Sequence, residues 1–554
     1  MFSCYSLQKP GAFVFMTAST FRLLAFLTFS TLAVAGVSPD TVDLGYATYR
    51  GNTNELDIIS FLGIRYAAAP EGDLRWRAPQ SPPRVSGVQA ATEQPNQCFQ
   101  SPFGASPVSP LRTFQLTGKR PPRQSLPADQ SEDCLFLSVY LPASSLDLSA
   151  SLPVVVWFHG GGYIAGQGKT FDGGDLVKAS GDGVIAVVIQ YRLGVFGFLG
   201  GRDVKANGDL NAGLLDQHFA LEWVQQHIPK FGGDPRRVTL WGQSAGAGSI
   251  LQQAIANDGE TGTALFRNII TSSTFLPPQY KFDDDIPEGL FYEVVSQSNC
   301  CCAQDKIACL RDADPAALQA ANQAINRAGL FGTFTFVPVV DGTFIRRSPV
   351  DSLASGKVNG ARLLAVTNAN EGQIFVNATL TPVSMQEYML LLFPKFTPQQ
   401  ALVVSDLYAR TGIPLEQQLA LAHGESTFVC PTYYLLDAFE DPAKFKGEFA
   451  IAPATHGSDV PLYFPTGRNI TVDDPDFTAS FASSFLSFVI SEDPNLKVNA
   501  RSVTPSWPNF GGVQSEMLFN RTQDGLPDIK LVESDGERLE RCRLWQSLIA
   551  FTGQ

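Results

Sequence analysis

The chain has 554 residues, 44% of them hydrophobic, which is ample for a large buried core. Its 53 acidic residues outnumber 40 basic ones, for a net charge of −13. That balance argues against nucleic acid or an anionic membrane surface as a partner. Near the N-terminus, Arg22 precedes an apolar stretch from Leu23 to Ala35. The stretch is too short and too interrupted to span a bilayer. Ala33-Val34-Ala35 supplies a small-x-small cleavage site before Gly36, so residues 1–35 are predicted to be a signal peptide, with Met16 as an alternative start. Residues 36–554 are then expected to form one secreted domain, and no other segment reads as a membrane insertion. Nine cysteines, eight of them beyond the signal, suit disulfides in an oxidising compartment. Asn377, Asn469 and Asn520 head glycosylation sequons.

In chain order, residues 42–67 read as a small N-terminal meander, with β-like runs from Val42 to Tyr49 and from Ile58 to Tyr66. Residues 68–131 are rich in Pro, Gln and Ser and read as a long surface excursion. Strands are predicted at Leu135–Leu141, Pro153–Phe158 and Val184–Ile189. The last two are continuous β-branched runs, as suits strands buried on both faces of a parallel sheet. A helix is predicted over Leu214–Ile228 and a strand over Val238–Trp241, followed by a helix from Ala245. Further strands are expected at Arg267–Ile270, Arg362–Val366 and Glu448–Ile451, with helices over 314–328 and 385–410. This alternation predicts an α/β fold: a large, mostly parallel central sheet flanked by helices.

The stretch Gly242-Gln243-Ser244-Ala245-Gly246 is G-x-S-x-G between a strand and a helix. That context holds a serine hydroxyl exposed on a sharp turn at a helix N-terminus. A glycine-rich turn without chemistry is the plain alternative. A serine nucleophile needs a base, usually histidine. The order that goes with this turn is Ser, then acid, then His. Of five histidines, His159, His218 and His227 precede the serine. His423 lies in a Gln-rich helical stretch, whereas His456 lies in a loop after a strand, so His456 is the favoured base. The acid should fall between Ser244 and His456, also after a strand. Glu371 meets this requirement. Asp341, in an Asp-Gly turn, is the competitor. His159-Gly160-Gly161-Gly162 follows strand 153–158, where an oxyanion hole belongs. Gly161, Gly162 and Ala245 are the candidate N–H donors.

Two longer stretches carry a resemblance. Glu132-Asp-Cys-Leu-Phe-Leu-Ser-Val-Tyr140 and Phe231-Gly-Gly-Asp-Pro-Arg-Arg-Val-Thr-Leu-Trp-Gly-Gln-Ser-Ala-Gly246 look like the signatures of the type-B carboxylesterase/lipase family. This family of α/β-hydrolases includes cholinesterases and fungal lipases. Asn211-Ala-Gly-Leu-Leu-Asp-Gln217 and Tyr191-Arg-Leu-Gly194 also match, and the resemblance runs from about Val42 to the C-terminus. It implies the α/β-hydrolase fold, a Ser244–Glu371–His456 triad, and disulfides Cys98–Cys134 and Cys300–Cys309. Cys301 and Cys302 depart from the pattern, and the pairing of Cys430 and Cys542 stays open. The implied reaction is hydrolysis of a small ester through an acyl-enzyme, with no metal or organic cofactor.

Two more departures bear on function. Gln243 stands where many members carry glutamate. The loop corresponding to 99–133, which in the fungal lipases holds an amphipathic lid helix, here contains six prolines (102, 107, 110, 121, 122 and 127). Weak interfacial activation is therefore expected. A secreted fungal esterase is the implied reading. A lipase, a hydrolase of aromatic-acid or carotenoid esters, and a non-catalytic binding protein on the same fold are the alternatives.

Overall fold

The computed structural model describes residues 40–112, 125–147, 151–377, 379, 384–468, 472, 474–512 and 514–554. The predicted signal peptide, Cys4, Asn469, Pro121 and Pro122 lie outside the described residues.

An eleven-stranded sheet organises residues 52–533. From one edge to the other its strands are Pro527–Glu533, Ser515–Arg521, Lys444–Phe449, Arg362–Asn368, Asn268–Ser272, Gly233–Gln243, Leu152–Phe158, Ile185–Ile189, Phe136–Pro142, Ile58–Arg65 and Asn52–Thr53. All strands from Ser515–Arg521 across to Ile185–Ile189 run parallel, and antiparallel strands close both edges. Helices cover both faces, so the central strands need apolar residues at every position. Val154, Val155, Val156, Trp157 and Phe158 are all fully buried. This is the mostly parallel α/β sheet the pattern predicts, in the α/β-hydrolase arrangement the resemblance implies.

The differences from expectation have physical causes. Residues 42–49 form a hairpin, Thr41–Asp43 with Thr48–Arg50, which Val88–Ala90 joins in parallel; Ile58–Arg65 belongs to the large sheet. The predicted strand 448–451 lies four residues upstream, at Lys444–Phe449. Lys446 hides it, because its ammonium is buried against Glu516 at 3.1 Å and against the Thr367 hydroxyl. The helix expected over 385–410 is two helices, Met385–Leu392 and Pro398–Ala409. Pro394 and Pro398 stop one and start the other, and a Thr397/Gln400 capping box fixes the new start.

Among the described residues there are three disulfides: Cys98–Cys134, Cys300–Cys309 and Cys430–Cys542. Cys301 and Cys302 are exposed and free. The first bond closes the loop over 99–133, which carries no helix among its described residues. No helix among the described residues is long and apolar enough to cross a membrane.

Candidate active site

The strand Gly233–Gln243 ends directly at Ser244, and the helix Ala245–Ile255 starts directly after it. No loop residue is available to absorb the reversal, so Ser244 itself takes φ 59°, ψ −127°. Such a backbone is strained and persists only when its surroundings enforce it. Ser244 N–H donates to the Ser272 carbonyl at 2.9 Å, and its own carbonyl accepts from Gly248 N–H at 2.8 Å. Gly246 lets the helix seat against strand Leu152–Phe158, since a Cβ there would lie 2.0 Å from the Phe158 carbonyl oxygen.

His456 stands in the loop after strand Lys444–Phe449. Its Nδ1 lies 2.6 Å from Glu371 Oε2. Glu371 follows strand Arg362–Asn368 and is buried, with its other oxygen accepting from Ser273 Oγ at 2.6 Å and Asn368 N–H at 2.7 Å. Asn368 Nδ2 bridges Ser273 Oγ and Asp459, which also accepts from the Tyr463 hydroxyl. Burial pushes the Asp459 carboxyl up from the usual carboxylate range. With Nδ1–H given to Glu371, His456 Nε2 is an acceptor, as a base must be. In this state it accepts from the Gln243 side-chain amide at 3.1 Å. Ser244 Oγ makes no hydrogen bond among the described residues, so Gln243 rather than Ser244 is the partner of His456 Nε2. Catalytic hydrogen bonds commonly tighten only once substrate arrives.

The competing candidates have other work. Asp341 is buried and holds its own turn, accepting from Thr343 N–H, Phe344 N–H and Asn211 Nδ2. His423 is buried against the Tyr388 hydroxyl at 2.7 Å. His227 packs on Tyr46 and Trp223, and His218 meets Gln253.

The glycine loop adjoins Ser244. Among the described residues, the N–H groups of Gly161, Gly162 and Ala245 have no protein acceptor. Unpaired N–H groups of this kind near a serine hydroxyl are able to receive negative charge. Gly162 has φ 62°, and a Cβ there would lie 1.9 Å from Phe334 Cδ1, so the Phe334 ring rests directly on the loop. Phe428 and Phe375 close around His456, with ring centroids 4.3 Å and 5.2 Å away. Ser273, Asn368, Asp459 and these aromatic rings were missed in the sequence, where nothing distinguishes them from ordinary loop and core residues. Asn377 and Asn520 are half-buried.

Burial pushes His159 down to about 4 and His423 down to about 3. Both remain neutral in the fold, whereas the unfolded chain takes up their protons from about pH 6.5. Their stabilising effect is complete above that value and declines as pH falls toward 4 and then 3. His159 alone is expected to cost about 3 kcal/mol of stability by pH 4. Urea midpoints measured from pH 7 to pH 4 should fall steadily, and a flat series would contradict this burial.

Comparison with known proteins agrees with the architecture. The model of the carboxylesterase family matches residues 38–526. Secreted lipase 1 of Botryotinia fuckeliana (strain B05.10) is 30% identical over 513 residues, covering 83% of this chain and 85% of the relative. Carboxylesterase patB of Penicillium expansum is 31% identical over 578 residues, covering 95% of this chain and 98% of the relative. Among solved structures, Aspergillus niger EstA matches with a TM-score of 0.81 at 28% identity, over 93% of this chain and 99% of that one. The family match over nearly the whole chain, on an α/β-hydrolase sheet, places this protein in the carboxylesterase family as a carboxylic ester hydrolase.

Proposed function

We propose that the protein is a secreted serine esterase working through an acyl-enzyme, with Ser244 as nucleophile, His456 as base and Glu371 as the orienting acid. The observation that carries this reading is the 2.6 Å contact between His456 Nδ1 and Glu371, set beside a strained serine and three free N–H donors. On substrate binding the Gln243 amide gives up His456 Nε2. Ser244 Oγ then attacks the ester carbonyl and its proton passes to Nε2. Negative charge develops on the carbonyl oxygen, where the N–H groups of Gly161, Gly162 and Ala245 receive it. Glu371 balances the imidazolium, itself held by Ser273 and Asn368. His456 returns the proton to the departing alcohol, and water attacks the acyl-enzyme by the same route.

Secretion is supported by the predicted signal peptide at 1–35, by three disulfides, and by relatives that include a secreted lipase. The mature chain is then one domain from residue 36, with Asn377, Asn469 and Asn520 as glycan acceptors. Its partner is a small ester. A relative named as a secreted triacylglycerol lipase favours triglycerides as a second reading. The helix-free described part of loop 99–133 favours dissolved esters instead.

A p-nitrophenyl alkylphosphonate tests the reading. One equivalent should inactivate the enzyme, and mass spectrometry should place the adduct on the Ser244 peptide. Stoichiometric inactivation with the adduct elsewhere, or no adduct at all, would refute it. Tributyrin hydrolysis should rise smoothly through the solubility limit, whereas a jump there would favour the lipase reading.

A further inference from the structure

A cavity adjoins the candidate site, walled by Phe275, Phe334 and Leu392, with Tyr280 and His423 in the same wall. Phe334 connects it to the chemistry, because the same ring rests on Gly162. Most of this wall is carbon. Two of its polar groups nevertheless lack a protein partner. The Tyr280 hydroxyl is buried and makes no hydrogen bond among the described residues. His423 is 3% exposed, has its Nδ1 2.7 Å from the Tyr388 hydroxyl, and stacks on Phe375 at 5.4 Å. Its Nε2 has no partner among the described residues.

The tautomer of His423 follows from Tyr388. That hydroxyl is buried, and Nδ1 of His423 is its hydrogen-bond partner among the described residues. A buried hydroxyl places its proton on an acceptor. Tyr388 therefore donates, Nδ1 accepts, and the ring proton sits on Nε2. Burial keeps the ring neutral at working pH. The result is a neutral N–H donor in the wall of a largely apolar cavity. A hydrocarbon ligand leaves it unsatisfied, while a ligand bearing an acceptor oxygen relieves it.

We infer that this cavity selects esters whose apolar portion carries a neutral oxygen acceptor, such as a keto or ether oxygen, received by His423 Nε2–H. The inference rests on the ester-hydrolase reading above and names the substrate class of that site. An acceptor is a requirement that chain length alone does not meet. Sites built around a polar contact reject analogues lacking it far more strongly than sites that sense one methylene.

The test uses matched pairs. One series is p-nitrophenyl octanoate against octanoates with a keto group stepped along the chain. The other is octyl acetate against the corresponding keto-octyl acetates, so the acyl and alcohol sides are separated. Wild type should favour the best-placed keto ester by about tenfold or more in kcat/KM. His423→Phe keeps an aromatic ring against Phe375 but removes the donor, and should bring that ratio to near one. If His423→Phe fails to fold, Tyr388→Phe lets the ring proton move to Nδ1 and should lower the same ratio. A ratio near one in wild type for every keto position, or a ratio unchanged in all folded variants, overturns the proposal. Calorimetric binding of dipropyl ketone to Ser244→Ala protein reads the donor without turnover. Ketone binding weakened about tenfold by a second His423→Phe change, with every ester inert, would sink the esterase reading and leave the cavity assignment standing. Ketone binding that the second change leaves untouched would sink the assignment.

Discussion

Replacing Ser244 with alanine is expected to lower kcat on p-nitrophenyl butyrate by about 10⁵- to 10⁶-fold, with KM little changed. The substitution removes the attacking oxygen and little else. Ser244 Oγ makes no hydrogen bond among the described residues, so no buried partner is orphaned. Alanine keeps a Cβ and must adopt the same φ of 59°, held by the same two backbone hydrogen bonds. The melting temperature should therefore hardly move. Residual activity should survive, because the donors of Gly161, Gly162 and Ala245 still stabilise charge on a carbonyl attacked by water. Steady-state kinetics on protein free of wild-type contamination decides the matter. A loss below a hundredfold would mean that the nucleophile is elsewhere.

Glu371→Gln should cost about 10⁴-fold in kcat. The carboxylate now accepts three hydrogen bonds, from His456 Nδ1, Ser273 Oγ and Asn368 N–H. An amide offers a single acceptor oxygen. If that oxygen stays with Ser273 and Asn368, the NH₂ group faces His456 and forces the imidazole proton onto Nε2. The ring can then no longer take the serine proton. The folded structure should change little, because shape and most hydrogen bonds persist. Asp341→Asn is the control. Asp341 holds a turn remote from this contact, so that variant should lose stability while keeping kcat. Equal kcat losses in the two variants would remove Glu371 from its role.

The parts of this arrangement visible in the sequence are those determined locally. Strands Leu152–Phe158 and Ile185–Ile189 lie within one residue of their predicted bounds, because strands buried on both faces leave no place for polar residues. The G-x-S-x-G turn declares itself through glycines that close packing demands. What stayed hidden depends on distant partners. Lys446 breaks the hydrophobic run of its strand, and only Glu516, 70 residues later, neutralises it. The strands Ser515–Arg521 and Pro527–Glu533 are not among the predicted elements, and charged residues such as Glu516, Asp528 and Lys530 interrupt their apolar pattern. Ser273 and Asp459 look like any polar turn residue until Glu371 and Asn368 meet them. Gln243 reveals its contact with His456 only across 213 residues of chain.

Sheet order also has a consequence in time. The strand that leads to His456, Lys444–Phe449, finds its outer neighbour only in Ser515–Arg521. During synthesis that neighbour emerges last among the parallel strands. Until then Lys444–Phe449 presents an open edge to any other extended chain, and Lys446 waits without Glu516. The turn at Ser244 can be in place while the strand leading to His456 still lacks its outer neighbour. The nascent protein thus keeps an edge open to aggregation until its final strands arrive. A molecule cut short before residue 515 would stay in that state.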